Sequence, residues 1–343
     1  MMTKSKMISS GSFAPARQPS PLKRGELGYP ITAADLIAFG RSPLRWLRTP
    51  PPDPTLPPSL LDVIRCTLLA NGELKSTYIP RPATYPSTVR TCPHCKSEGT
   101  AKICRTCNLT RVVLPADKKW SANADYCVKW AEKKAATGVG IVTPDRWETA
   151  EAISRELILD PDCSQLINGA GTLGLIHGTW EHPGTGVVIP LQETIDLVPA
   201  DETNLETALA SICVVSDSSP AAFALRTYAT GAHVRAALQR RLFNDCSPTP
   251  RDYHLWLVAE RNAPHLVGRR SASVELLALG DTLLEALLNS YANCIHSGVW
   301  PAFDRSAPLT LEGFTPVFLE PWMTQGSSPA ASYFAIGAVP EAA

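Results

Sequence analysis

Cys92, Cys95, Cys104 and Cys107 fall in the stretch TCPHCKSEGTAKICRTCNLTR as a C-x2-C pair, an eight-residue spacer and a second C-x2-C pair. Each such knuckle turns tightly enough to aim two sulfurs at one point, and two knuckles complete a tetrahedral thiolate shell for Zn²⁺. Four thiolates leave no open position for a water, so the zinc expected here is structural rather than catalytic. Gly99 lets the short spacer fold back, and His94, adjacent to Cys95, is expected to point away. Four coincidental thiols are the alternative, and the paired spacing argues against them. Lys96, Lys102, Arg105 and Arg111 give the cluster a basic fringe, which fits either nucleic-acid contact or a solvated loop.

Other groups with chemical potential are scattered more thinly. His177 and His182 flank a hairpin and read as a metal pair or, more simply, as surface histidines. Asp201 and Asp217 sit where turns are expected, and an Asp there usually serves the turn. Glu193 lies three residues before Asp196, which on a continuous strand places the two on opposite faces. No lysine occurs after Lys134, so any cation in the second half is an arginine, which cannot act as a base. Arg235, Arg240 and Arg241 share one helix and either meet phosphate or face solvent. Trp180, Trp256 and Trp300 read as core aromatics rather than platforms for bases.

The elements that position these groups are legible by period and punctuation. Thr32 caps a helix over TAADLIAFGR, with Asp35 three residues on and Gly40 and Pro43 closing it. A proline-rich spacer leads to a helix over LLDVIRCTLLA, and STYIPRPATYPSTVR is extended because its prolines exclude a helix. WSANADYCVKWAEKKAATG reads as a helix with Trp120, Cys127 and Trp130 on one side. VTPDRWETAEAISRELILDP is a helix with Thr143 as cap and Trp147, Ala150, Ile153, Leu157 and Ile158 as its apolar stripe. The second half holds strands over TLGLIHGTW, GVVIPLQETIDLVPA and LASICVV, with HPGTG as the turn between the first two. A helix interrupted at Gly231, a strand over DYHLWLVAER and a long helix over VELLALGDTLLEALLNSYANCIHSG complete a mixed α/β core.

The 343 residues suffice for one large or two ordinary domains, and 44% of them are hydrophobic. Lys and Arg balance Asp and Glu at 32 each, whereas proteins that grip duplex DNA through phosphates usually show a basic surplus. The first residues are basic and Ser/Pro-rich without an apolar core of the secretory kind, and no run reaches the length of a membrane span. Ten cysteines in such a chain suggest a reducing, cytoplasmic setting.

Taken in order, several of these stretches resemble the PD-(D/E)XK nuclease-like proteins of phage and mobile elements, relatives of RecE-type exodeoxyribonuclease VIII. TAADLIAFGRSPLRW is similar to the opening helix, GTGVVIPLQETIDLVPA to the strand pair ending in the first metal-binding aspartate, and SSPAAFALRTYATGAHVRAAL to the following helix. LWLVAERNAPHLVGRRSASVELLALGDTLLEALLNSYANCIHSGVWPAFD is similar to the closing part with its Trp-Pro-x-aromatic ending. The likeness spans about residues 30 to 305 and implies a restriction-endonuclease-like core, a central mixed sheet flanked by helices, with a small zinc-ribbon-like insertion.

In that family carboxylates on neighbouring strands hold Mg²⁺ and a lysine beside them helps activate water. By the resemblance, Asp196 matches the first aspartate. The Asp-x-Lys pair falls on Ser211 and Cys213, the glutamine of the next helix falls on Arg235, and an earlier acidic or amide position falls on Leu175. Neither Ser211 nor Cys213 supplies what the chemistry needs. Asp196 is then a vestigial ligand or a structural acceptor, and His233 a residual site residue or a packed one.

The resemblance implies a nuclease-like protein without catalysis, acting as a DNA-binding or scaffolding subunit in phage or mobile-element recombination or defence. The alternatives are an active Mg²⁺-dependent exonuclease with migrated residues, or a zinc-organised protein-interaction module without a nucleic-acid role. A protein partner or homo-oligomer is compatible with each, and no membrane is expected. The corresponding divisions are a mobile arm over 1–29, an early helical and extended part over 30–87, and the zinc insertion over 88–112. The nuclease-like core then covers 113–305 and a tail covers 306–343.

Overall fold

The computed structural model describes residues 22–51, 57–69, 78–86, 90–91, 112–113, 117–169, 171–172, 174–199 and 208–302. Cys92, Cys95, Cys104, Cys107, Asp201 and the expected tail lie outside the described residues.

In chain order the helices α1 (Ala33–Arg41), α2 (Pro43–Arg48) and α3 (Leu60–Leu69) come first. Short strands β1 (Tyr78–Pro80), β2 (Thr84–Tyr85), β3 (Arg90–Thr91), β4 (Val112–Val113) and β5 (Lys118–Lys119) follow. Next are α4 (Asp125–Ala135), β6 (Gly140–Val142), α5 (Pro144–Leu159) and α6 (Pro161–Gly169). Strands β7 (Gly171–Thr172), β8 (Leu175–Glu181), β9 (Val188–Thr194), β10 (Leu197–Val198) and β11 (Ala208–Val215) lead to α7 (Pro220–Thr230) and α8 (Ala232–Cys246). The last described elements are β12 (Tyr253–Glu260), β13 (Val267–Ser271) and α9 (Val274–Ser297). The chain divides into a discontinuous first unit, residues up to 56 and from 152 onward, and a continuous second unit, residues 57–151.

The first unit is mixed α/β, as its sequence pattern requires. Its five-stranded sheet has the order β13-β12-β11-β10-β7. Strands β11 and β12 pair in parallel over eight positions, while β13, β10 and β7 add antiparallel neighbours. The parallel pair is joined through α7 and α8, the long crossover that such a pair demands. Strands β8 and β9 form a separate antiparallel hairpin whose HPGTG turn is closed by backbone bonds between His182 and Val187 and between Gly186 and His182. Ile31, just before α1, bonds alongside β9 through Pro190 and Gln192.

Local chemistry fixes the helix ends. Thr32 and Asp35 form the reciprocal capping box at α1, and Arg24 ion-pairs with Asp35 at 3.1 Å, so the described residues from Leu22 to Tyr29 are tied to the fold. Gly231 has φ 73° between α7 and α8, and a Cβ there would fall 2.7 Å from Ile37 Cδ1, so both backbone and packing call for glycine. A Cβ on Gly280 would lie 2.4 Å from the His233 carbonyl oxygen, which shows how closely α9 crosses α8.

The core joins the two ends of the discontinuous unit. Phe39 and Trp46 meet Tyr291 and Trp300 in edge-on and stacked contacts 5.4–6.2 Å apart, and Leu44 N–H bonds to Pro301 O. The SPLRW and WPAF stretches therefore pack together. Trp256 is 3% exposed, and Trp180 and Trp300 pack partly buried against the core, as core aromatics should.

The second unit holds α3, β1 to β6, α4 and the start of α5. Strands β1 and β6 pair in parallel, β2 with β5 antiparallel, and β3 with β4 antiparallel. The β3–β4 ladder brackets the cysteine stretch, with Arg90 opposite Val113 and Thr91 opposite Val112.

Several elements differ from the sequence expectation. Trp120 lies ahead of α4 rather than on it, because its N–H continues the β2–β5 pairing by bonding to Ala83 O. Ile158 is 49% exposed although Ile153 and Leu157 are fully buried, so it falls off the buried stripe of α5. Helix α6 went unread; it is short, with Pro161 in its first turn and Asp160 accepting from Cys163 N–H. Strand β13 also went unread, because VGRRS has no apolar alternation and stands at the sheet edge.

Candidate functional site

The residues singled out by the family resemblance come together in the first unit, where the end of β9, strand β11 and the first turn of α8 converge. Strand β9 stops at Thr194. Ile195 and Asp196 link it to β10, and Ile195 N–H bonds to Gly174 O, continuing the register that sets Thr194 opposite Leu175. One cation stands at this junction, bonded to Glu193.

That cation is Arg235. Its Nε and Nη2 donate to Glu193 Oε1 at 3.1 and 2.8 Å. Glu193 Oε1 also accepts Thr194 N–H at 3.0 Å, and Oε2 accepts the N–H of Ala33 in the first turn of α1 at 3.1 Å. The Glu193 side chain is 6% exposed and that of Arg235 is 32% exposed, so the pair is one-sidedly buried. Glu193 holds the Arg235 guanidinium above its usual pKa against the opposing effect of burial, and Asp196 and Cys213 push the same way. Arg235 is thus the charge centre of the cluster.

Asp196 is 1% exposed, and its Oδ2 accepts Ile212 N–H at 2.9 Å from β11. Leu175, opposite Thr194 in the hairpin, places an apolar side chain at its matched position. Ser211, 4% exposed, donates from Oγ to Gln239 Oε1 at 3.2 Å, and Gln239 Nε2 donates to Thr194 O at 2.6 Å. Cys213, two positions along β11 from Ser211, lies near enough to Arg235 to favour its charge. Gln239 was missed as a member of this cluster, and Glu193 was named only as a carboxylate set apart from Asp196. The signal for Gln239 was its i,i+4 spacing from Arg235 on one helix face.

His254 stands on β12 opposite Leu209 and is 1% exposed. Neither ring nitrogen has a hydrogen-bond partner among the described residues, and the ring packs 5.0 Å from Trp256. Burial, with Arg240 and Arg235 adding to it, pushes its pKa down to about 3, so it is a neutral ring.

The remaining candidates have structural employment. Arg240 makes a two-point contact with Asp281 and Arg241 bonds to Glu285, both across to α9. His182 Nδ1 accepts the N–H groups of Gly184 and Thr185 in its own turn, and His177 lies on β8 opposite Gln192. His233 is fully buried, which lowers its pKa, and its Nδ1 contacts Thr227 O at 3.2 Å. Exposed Asp217 accepts Ser219 N–H, the turn role expected of it.

A hard divalent cation needs several free oxygen ligands. Here Glu193 is engaged by Arg235 and two backbone N–H groups, Asp196 accepts a backbone N–H, and Ser211 donates to an amide. The neighbouring sulfur of Cys213 is soft. This donor set does not fit Mg²⁺, and among the described residues no group of three or more His, Cys, Asp or Glu is placed to hold a metal. What the arrangement does chemically is pair Glu193 with a fixed cation and hold Asp196 on a backbone N–H.

No protein-family model matches the chain, and no curated protein matches it at a significant level. Among solved structures, the chain is similar to a protein of Eubacterium rectale provisionally described as an exonuclease. That likeness has 10% identity and a TM-score of 0.36, over 53% of this chain and 66% of that one, just under two thirds of its length. The chain is also similar to LHK-Exo, an alkaline exonuclease of Laribacter hongkongensis, at 16% identity and a TM-score of 0.23, over 52% of this chain and 85% of that one. The same exonuclease in complex with dAMP gives a TM-score of 0.21 at 16% identity, over 51% and 85% of the two chains. The chemistry of the site therefore rests on its own geometry.

Proposed function

We propose that this chain is a non-catalytic member of the PD-(D/E)XK nuclease-like proteins, serving as a DNA-binding or scaffolding subunit in recombination or defence of a phage or mobile element. The observation that carries the reading is the Arg235 guanidinium on Glu193 beside Asp196. A fixed monovalent cation is paired with Glu193 beside Asp196, the position matched to a carboxylate that an active relative would turn toward Mg²⁺. Arginine stays protonated, so it balances charge but cannot take a proton from water. Ser211 and Cys213, at the positions matched to Asp and Lys, supply neither a carboxylate nor an amine. Cys92, Cys95, Cys104 and Cys107 belong to the same proposal as a structural zinc module in the second unit.

The test is a nuclease assay on linear duplex and single-stranded DNA with Mg²⁺ or Mn²⁺. Wild type is run beside Asp196→Asn, which keeps an acceptor for Ile212 N–H. Neither protein is expected to degrade DNA above the buffer control. Degradation by the wild type that disappears in Asp196→Asn would place an active centre here and overturn the reading.

A further inference from the structure

The zero net charge of the chain conceals a division. The second unit, residues 57–151, contains fourteen Lys and Arg against nine Asp and Glu, a surplus of five positive charges. The first unit carries the matching deficit, with eighteen against twenty-three. Every lysine after residue 56 falls in the second unit. The overall neutrality that counts against nucleic-acid binding is therefore a sum of two unlike parts.

Within the second unit, the β2–β5 ladder and α4 bring four aromatic rings together. Tyr85 and Tyr126 stack with centroids 6.1 Å apart and planes 18° apart, while Trp120 meets Trp130 edge-on at 5.3 Å. Cations stand over three of these rings. Lys118 Nζ lies 5.9 Å from Tyr85, the Arg81 guanidinium 5.7 Å from Trp120, and Lys134 Nζ 6.0 Å from Trp130. Lys118 and Lys119 on β5 are exposed, as is Lys133 on α4.

A small satellite core would bury such rings. Here Tyr126 is 47% exposed, and Tyr85, Trp120 and Trp130 are only half-buried. Cys127 is the buried residue of α4, so the aromatic side of this helix is not shut away. Half-exposed ring faces interleaved with cations offer the two contacts that a single strand seeks: stacking for its bases and positive charge for its phosphates. A duplex keeps its bases paired and stacked on one another, so it could use only the second. A peptide partner of the usual mixed charge would gain little from five surplus positive charges.

We infer that the Tyr85–Tyr126–Trp120 face of the second unit, rimmed by Arg81, Lys118, Lys119 and Lys134, binds single-stranded nucleic acid. This rests on the reading of the chain as a nucleic-acid protein and names the face and strandedness of the ligand. It is independent of whether the first unit can cleave.

The experiment titrates the full chain into fluorescently labelled oligodeoxythymidine and into a duplex of equal length, without added Mg²⁺, at low and moderate salt. The single strand is expected to bind more tightly than the duplex. With three to four phosphates neutralised, log K should fall against log salt with a slope of about −2 to −3. Tyr126→Ala, at an exposed position, should weaken binding by about five- to a hundredfold, the effect of losing one base–aromatic stack. Lys118→Glu should weaken it and flatten the salt slope. Arg241→Ala in the first unit should leave it unchanged. Duplex binding at equal strength, or full affinity in both Tyr126→Ala and Lys118→Glu, would overturn the inference. Cleavage of the same oligonucleotide once Mg²⁺ is added would overturn only the non-catalytic reading.

Discussion

Replacing Arg235 by Met removes the guanidinium but keeps most of its stem, so packing is largely retained and the loss is one of charge. Glu193, at 6% side-chain exposure, would keep the N–H groups of Ala33 and Thr194 but lose its counter-ion. Breaking a fully buried pair costs about 3–5 kcal/mol, whereas exposed pairs contribute about 0–1 kcal/mol. Because Arg235 is 32% exposed and water can enter where it stood, the expected cost lies between these limits, at about 2–3 kcal/mol. For a unit of this size that corresponds to a Tm lower by roughly 5–10 °C. Urea titrations of wild type, Arg235→Met, Glu193→Gln and the double variant at neutral pH give the coupling energy. A cost below about 0.5 kcal/mol would refute the claim that this pair organises the site.

Two further outcomes are expected. His254 has its pKa lowered to about 3, below the unfolded value near 6.5, so its contribution is full above pH 6.5 and is lost as pH falls toward 3. Stability should decline there with a slope approaching about 1.4 kcal/mol per pH unit, and His254→Leu should flatten it in urea titrations at pH 7, 6 and 5; an unchanged slope would clear His254 of the effect. The reduced chain should carry about one Zn²⁺, lost in Cys92→Ser/Cys95→Ser, and metal analysis that finds zinc equally bound in both would remove these thiolates from the site.

The parts of the fold visible in the sequence are those written locally. Thr32 and Asp35 announce the start of α1, Gly231 the break between α7 and α8, and Gly298 the end of α9, because caps and left-handed turns act over three or four residues. The strands of the core were legible by apolar runs, but the stop of β9 at Thr194 was not. Where β9 ends depends on its partner across the hairpin, since Ile195 N–H still bonds to Gly174 O in the register of the ladder. For the same reason the sequence named Asp196, Ser211, Cys213 and Arg235 as a set without revealing that Arg235 answers Glu193 from 42 residues away. The aromatic cluster was half legible: Trp120 and Trp130 drew notice, but their joining with Tyr85 depends on the pairing of β2 with β5.

The interrupted course of the first unit has a consequence for how the protein is made. Phe39 and Trp46 leave the ribosome about 250 residues ahead of Tyr291 and Trp300, the aromatic residues that cover them. At a synthesis rate of about 5–20 residues per second, α1 and α2 wait tens of seconds with their apolar faces uncovered. The second unit, continuous in sequence, is complete long before that wait ends. Its assembly can precede that of the first, so the older part of the nascent chain is the last to find its place.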